Sequence, residues 1–148
     1  MMKSDIPVVK RGLCEINWEG TPEDQKRLIT REEADGRVVR HFAKNIKDEK
    51  LKLAVFIAIA GGKTAGFVSI GEWENSAVGS ILDLWVSEEY RGRGIGSQLL
   101  DFALEEVRRR GYTHSNLMVS VANTKARGMY ERRGFRPQGL LLSKRVNV

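Results

Sequence analysis

The stretch Ile81-Leu82-Asp83-Leu84-Trp85-Val86-Ser87-Glu88-Glu89-Tyr90-Arg91-Gly92-Arg93-Gly94-Ile95-Gly96-Ser97 decides the reading of this chain. It opens as a short, mostly apolar run carrying one acid, which predicts a strand over Ile81–Val86. It then passes through three closely spaced glycines. Beyond them Ile95, Leu99, Leu100, Ala103 and Val107 trace one face of a helix that ends in Arg108-Arg109-Arg110 and the stop residue Gly111. A glycine-rich loop between a strand and a helix lets successive backbone N–H groups converge at the positive end of the helix dipole, an arrangement that suits phosphate. The nucleotide-hydrolase pattern GxxxxGK[ST] is absent. The dinucleotide pattern GxGxxG fails too, because Ser97 stands where its last glycine belongs.

Upstream, a first strand is expected near Val8–Ile16. Thr21-Pro22-Glu23-Asp24 offers a capping hydroxyl, a proline at the first helical position and acids in the first turn, so a helix is expected to begin there. Val38, Val39, Phe42 and Ile46 continue helical spacing through Arg31–Ile46, with Gly36 as a possible break. Leu53–Ile59 and Thr64–Ile70 read as two strands joined by a Gly61-Gly62 hairpin turn, and Gly71–Gly79 as a polar connection. Downstream, Leu117–Val121 reads as a strand, Asn123 as an N-cap, Thr124–Arg133 as a helix closed by Gly134, and Leu140–Val146 as a last strand.

The loop also fits [Arg/Gln]-x-x-Gly-x-[Gly/Ala] as Arg91, Gly94 and Gly96. In spacing, Asn123, Ala126, Met129-Tyr130-Glu131 and Gly134-Phe135 fit N-x-x-A-x-x-x-Y-E-x-x-G-F. These two motifs, in this order, resemble the GNAT superfamily of acetyl-coenzyme A-dependent N-acetyltransferases across roughly residues 80–136. The resemblance implies a single α/β domain over 1–148, with a mixed, mainly antiparallel sheet flanked by helices on both faces. Acetyl-CoA is its implied co-substrate, splitting the strands at Ile81–Val86 and Leu117–Val121. Main-chain groups of Leu84, Trp85 and Val86 are then expected along the pantetheine arm, and the amides of Arg91, Gly92, Arg93, Gly94, Ile95, Gly96 and Ser97 at the pyrophosphate. Asn123 and Tyr130 are expected near the thioester, with Ala126 and Met129 packing along the arm. Arg93 or Lys125 is expected at the 3′-phosphate.

The implied reaction is direct attack of a neutral primary amine on the thioester within a ternary complex. Deprotonating a lysine-like amine at pH 7 costs about 4–5 kcal/mol, an α-amine about 1 kcal/mol, so the acceptor decides how strong a base is needed. Tyr130 takes the place of the family's general acid. Met118 stands where some family members that acetylate protein N-termini carry a glutamate; Asp83 is the best base candidate here, since an acid within the apolar strand Ile81–Val86 has to face a polar cleft, a partner or water, and a paired structural acid is the competing reading. Glu72 and Glu74 face either a cationic substrate or solvent, and Trp73 either packs or lines an acceptor pocket. The acceptor itself, small molecule or peptide, is not legible, and a homodimer is expected only by family habit.

Composition bounds these readings. The chain has 148 residues, 41% of them hydrophobic, which suits one core. No run approaches a membrane span and the N-terminus lacks a signal-peptide core, so a cytoplasmic location is expected. Cys14 is a lone cysteine, and His41 and His114 lie far apart, so no metal site is expected. The 25 Lys+Arg against 19 Asp+Glu give a net charge of +6, clustered at Arg91–Arg93, Arg108–Arg110, Lys125–Arg127 and Arg132–Arg136. That charge also suits a nucleic-acid-binding module, but no reader motif or interleaved aromatics accompany it. A non-catalytic acetyl-CoA sensor is the other alternative.

Overall fold

The computed structural model describes residues 5–27, 29–45, 47, 52–72, 77–142 and 144. The chain begins with helix α1 (Ile6–Gly20), not with the strand expected near Val8–Ile16. Pro7 lies in its first turn, and Val9, Leu13 and Ile16 recur at spacings of four and three, the period of a helix facing a core. Thr21 closes it, its hydroxyl donating to the Asn17 carbonyl at 2.7 Å. The helix expected at Thr21-Pro22 is a single turn, α2 (Glu23–Lys26). α3 (Arg31–Asn45) starts at a capping box: the Thr30 hydroxyl accepts from the Glu33 N–H at 3.2 Å, while the Glu33 carboxylate accepts from the Thr30 N–H at 2.9 Å. Gly36 lies inside α3 and does not break it. Ile46, expected on this helix, lies outside the described residues.

Strands β1 (Ala54–Ala60) and β2 (Lys63–Glu72) form the expected hairpin, and β3 (Val78–Val86) pairs antiparallel with β2. Gly61 and Gly62 take φ of 57° and 76°, the left-handed pair that a type I′ turn requires. A 3₁₀ turn (Glu88–Tyr90) and the glycine loop lead to α4 (Ile95–Arg109), which crosses over to β4 (His114–Leu117). β4 pairs parallel with β3, as a helical crossover permits, giving a four-stranded sheet in the order β1-β2-β3-β4. The expected strand Leu117–Val121 therefore sits earlier in the chain; residues 118–121 are not strand. Helix α5 (Thr124–Glu131) follows. Residues 140–142 are not strand either, and most of the rest of the strand expected at Leu140–Val146 lies outside the described residues, as do Trp73 and Glu74.

Alternating side chains of β2 divide the core. Val68 and Ile70 pack with Ile81 against Leu99, Leu100, Ala103 and Val107 of α4. On the opposite face Phe67 packs with Trp85 against Val9 and Leu13 of α1 and Phe42 of α3. Helices thus cover both faces of a mixed sheet, as expected. One irregularity sets up the site. Ser69 stands opposite Asp83 and Ile70 opposite Ile81, so Leu82 is an extra residue in β3 and the pleat reverses there. Ile81 faces α4, whereas Asp83 and Trp85 share the other face with Ser69 and Phe67. Among the described residues no helix is long and apolar enough to cross a membrane, and no cluster of metal-ligating side chains is found.

Candidate active site

The pairing of β3 with β4 stops at Ile81 opposite Leu117. Beyond that point the strands part, and among the described residues no strand pairs with the β3 edge from Leu82 to Val86 on that side. The gap opens into a cleft of about 730 Å³, walled by β3, the glycine loop, the first turn of α4, residues 117–120, α5 and the C-terminal end of α1. The separation expected between the two strands is present, with its fork one residue into the run expected for each.

The α4 end of the cleft carries the features an anion needs. Gly92 and Gly94 have φ of 77° and 80°, and Gly94 is the N-cap. No side chain caps α4, and the first helical bond runs from the Gln98 N–H to the Gly94 carbonyl at 3.0 Å. The N–H groups of Ile95, Gly96 and Ser97 have no partner among the described residues and stand at the positive helix terminus. A Cβ on Gly96 would lie 3.6 Å from Val86 Cγ2, 3.7 Å from Leu84 Cδ2 and 4.0 Å from Met129 Sδ, so the backbone at Gly96 forms a floor between β3 and α5. These features fit a diphosphate at the loop with an amide-bearing arm along the β3 edge.

Ala126, Met129 and Tyr130 of α5 complete this wall. Tyr130 meets Phe135 edge to face at 5.9 Å, and its hydroxyl has no hydrogen-bond partner among the described residues. Burial pushes the phenol up from its ordinary value. Asn123 acts as the expected N-cap, its Oδ1 accepting from the Ala126 N–H at 3.1 Å, so its carbonyl oxygen is held by the helix.

Three expected cofactor contacts involve side chains that are engaged elsewhere. The Trp85 indole is buried on the far face and donates to Glu15 Oε2 at 2.8 Å, so this residue offers the cleft only its backbone. Arg91 donates from Nε to the Val86 carbonyl at 3.0 Å, and its guanidinium stands 3.8 Å from Glu15 and 3.7 Å from Glu19, tying the loop to α1. The Arg93 guanidinium stands 5.6 Å over the Tyr90 ring and does not line the cleft, whereas Lys125 does.

Asp83 lines the cleft on the face of α1 and α3. Ser69 donates to its Oδ2 at 2.5 Å. Burial pushes the carboxyl up, with the Ser69 hydrogen bond and the charge of His41 on α3 acting against that. Glu72, by contrast, is an ion-pair residue and faces neither a cationic substrate nor solvent. It is 8% exposed and accepts from Arg110 and from the Tyr112 hydroxyl at 3.0 Å. Burial alone would raise it, but those donors outweigh burial and hold it below the ordinary carboxylate range. Ile16, Glu19 and Gly20 of α1, and Arg132, also line the cleft. The α1 residues were hidden by the strand reading of that segment; the signal that finds them is the spacing of Val9, Leu13 and Ile16. Arg132 belonged to a basic cluster that charge alone did not aim.

A mixed sheet that forks beside an uncapped, glycine-preceded helix N-terminus is the architecture of an acetyltransferase fold. The chain belongs to the acetyltransferase (GNAT) family, whose family model matches residues 11–135. Among its relatives is an uncharacterised N-acetyltransferase of Methanocaldococcus jannaschii, 36% identical over 85 residues that cover 54% of this chain and 38% of that protein. The match thus spans well under two thirds of that relative's length. A solved protein of Pyrococcus furiosus, assigned as an acetyl transferase, superimposes with a TM-score of 0.79 at 26% identity, covering 97% of this chain and 95% of that one. The PaiA N-acetyltransferase of Thermoplasma acidophilum, solved in complex with coenzyme A, shares the fold with a TM-score of 0.64 at 19% identity, covering 93% and 87% of the two chains.

Proposed function

We propose that the protein transfers an acetyl group from acetyl-CoA to a primary amine by direct attack in a ternary complex. The observation that carries this reading is the fork between β3 and β4 with three N–H groups of α4 at its mouth that have no partner among the described residues. Family membership and the coenzyme A complex of a same-fold relative support it. The amides of Ile95, Gly96 and Ser97 bind the diphosphate, and main-chain groups of Leu84–Val86 pair with the pantetheine arm. Ala126 and Met129 pack along that arm, and Lys125 is the cation for the 3′-phosphate.

The acceptor enters from the side of α1, past Ile16 and Glu19. Its nitrogen bonds to the acetyl carbon as the carbon–sulfur bond breaks, and its proton passes to Asp83. Holding both reactants in contact supplies much of the rate, and donors fixed at the fork stabilise the developing charge. Full proton transfer from an ordinary phenol to a thiolate is uphill by about 2 kcal/mol, and burial of Tyr130 steepens that climb. Tyr130 therefore serves as a hydrogen-bond donor to the departing sulfur. A buried carboxyl whose proton affinity is raised is better matched to an amine than an exposed one.

Calorimetric titration with acetyl-CoA, followed by thiol-release assays over peptides, polyamines and small amines, tests the reading. Binding and release with one amine class are expected. Binding without release over the whole panel would instead mark an acetyl-CoA sensor, and no binding at all would overturn the assignment of the loop.

A further inference from the structure

The bulge at Leu82 places Asp83 directly across the β2–β3 ladder from Ser69, with both side chains on the face that the acceptor reaches. Ser69 is 1% exposed and sits in the middle of the most deeply buried strand, where an unpaired hydroxyl is costly. Its hydrogen is committed to Asp83 Oδ2 at 2.5 Å. Oδ1 has no partner among the described residues, yet no buried side-chain oxygen among them lacks one. Oδ1 is therefore the oxygen open to the cleft. One carboxylate oxygen is anchored in the sheet and the other is offered to the substrate.

We propose that Ser69 is a positioning residue for proton acceptance: its hydroxyl fixes Oδ2 of Asp83 so that Oδ1 is held toward the attacking amine. The inference rests on the reading of Asp83 as the base. The hydrogen bond favours the charged carboxylate, against the burial that favours the neutral acid. Ser69 thereby sets both where the lone pair points and the pH above which it is available.

Other groups around Asp83 are accounted for. From α3, His41 is the charge that acts on it. From α1, Glu19 lines the same cleft but stands by Arg91, and Glu15 is held by the Trp85 indole and Arg91. Tyr130 faces the cleft from α5 as an uncharged phenol. Ser69 is thus the sole hydrogen-bond donor to Asp83 among the described residues.

The test is the pH dependence of kcat/KM, referred to the concentration of the neutral amine so that the amine's own ionisation drops out, with an amine found by the thiol-release screen. Ser69→Ala is expected to move the acid limb of the profile upward by about one pH unit, with the plateau at high pH within about threefold of the parent. Ser69→Cys, a weaker donor of similar size, is expected to fall between the two and covers the case in which the alanine variant folds poorly. Acetyl-CoA affinity should be unchanged in both. His41→Gln should also raise the limb, and Ser69→Ala should add its own shift in that background.

Asp83→Asn separates the two layers of the argument. If it abolishes the limb while Ser69→Ala lowers activity equally at every pH, or leaves the profile in place, the positioning role is overturned and the base survives. If Asp83→Asn retains the parent limb, the base reading itself falls, and the role of Ser69 with it.

Discussion

Replacing Gly12 with alanine tests the packing that places the wall of the cleft proposed for the acceptor. Gly12 is buried in α1, and a Cβ there would meet Phe67 Cε1 at 2.6 Å, Trp85 Cδ2 at 2.6 Å and Trp85 Cε3 at 2.9 Å. Both rings are locked: Phe67 is 0% and Trp85 4% exposed, they contact each other at 5.9 Å, and the indole is bonded to Glu15. Carbon atoms pack at about 3.5–4.0 Å, so α1 must retreat by about 1 Å. Such overpacking costs about 1–3 kcal/mol, and the better helix propensity of alanine returns up to about 1 kcal/mol. The net loss is about 1–2 kcal/mol, or about 3–8 °C in Tm for a domain of this size. Because α1 carries Ile16 and Glu19 to the cleft, its retreat moves the wall proposed for the acceptor more than the α4 end, which α1 reaches only through the contacts of Glu15 and Glu19 with Arg91. We expect the acceptor kcat/KM to fall about tenfold, since a 1 Å misplacement costs up to about a hundredfold, with acetyl-CoA affinity unchanged. Denaturant unfolding, calorimetry and steady-state kinetics measure the three quantities. A variant as stable as the parent would refute the docking of α1 on Phe67 and Trp85, and a loss of acetyl-CoA affinity alone would refute the division of the cleft.

Three further substitutions probe other parts of the molecule. Gly94→Ala meets only the Gln98 side-chain nitrogen, at 4.0 Å, but forces a side chain into φ of 80°, so it should cost about 1–2 kcal/mol of stability and, by disturbing the N-cap, weaken acetyl-CoA binding at least about tenfold, which calorimetry would detect. Tyr130→Phe should lower kcat while leaving the acetyl-CoA Kd within about twofold; unchanged turnover would remove the hydroxyl from the mechanism. Glu72→Gln probes acid stability. Its folded-state carboxyl is held below its unfolded value, so the stabilisation is complete above the unfolded value and lost as pH falls through the folded one. The variant should be less stable by about 1 kcal/mol at pH 7, with the gap closing toward about pH 3 in urea melts; a gap that persists there would assign the loss to packing.

The sequence made legible what local chemistry determines. The loop glycines, the stripe from Ile95 to Val107, the Asn123 cap and the Gly61-Gly62 turn each follow from a backbone requirement that few residue types meet, and each stands where expected. The N-terminal segment failed for a tertiary reason. Val8 to Ile16 holds enough β-branched residues to suggest a strand, but the face formed by Val9 and Leu13 fits the hydrophobic patch of Phe67 and Trp85, and that patch exists only once the sheet is assembled. Glu72 was misjudged for a similar reason, since its partners Arg110 and Tyr112 lie nearly forty residues downstream. The orientations of Trp85, Arg91 and Arg93 were beyond reach for another reason. A motif fixes which backbone approaches the ligand, while the side chains are placed by α1 and Tyr90, which the motif does not contain.

The extra residue at Leu82 connects the parts of the site. Without it, Ile81, Asp83 and Trp85 would alternate onto one face, and either Ile81 would leave the α4 core or Asp83 would be buried in it. With the pleat reversed, Leu84 and Val86 keep to the face of α4 and α5, where the thioester arm lies in our reading. Asp83 turns to the face of α1 and α3, the side proposed for the amine. A bulge also increases local twist, and the parallel pairing with β4 ends at Ile81, the residue just before it. One irregularity in β3 thus accompanies both the opening of the fork and the sorting of its two sides, bringing a carboxylate and the edge proposed for the cofactor within adjacent residues of one strand. In the proposed direct transfer, the two reactants would approach from opposite faces of the sheet and meet where it parts.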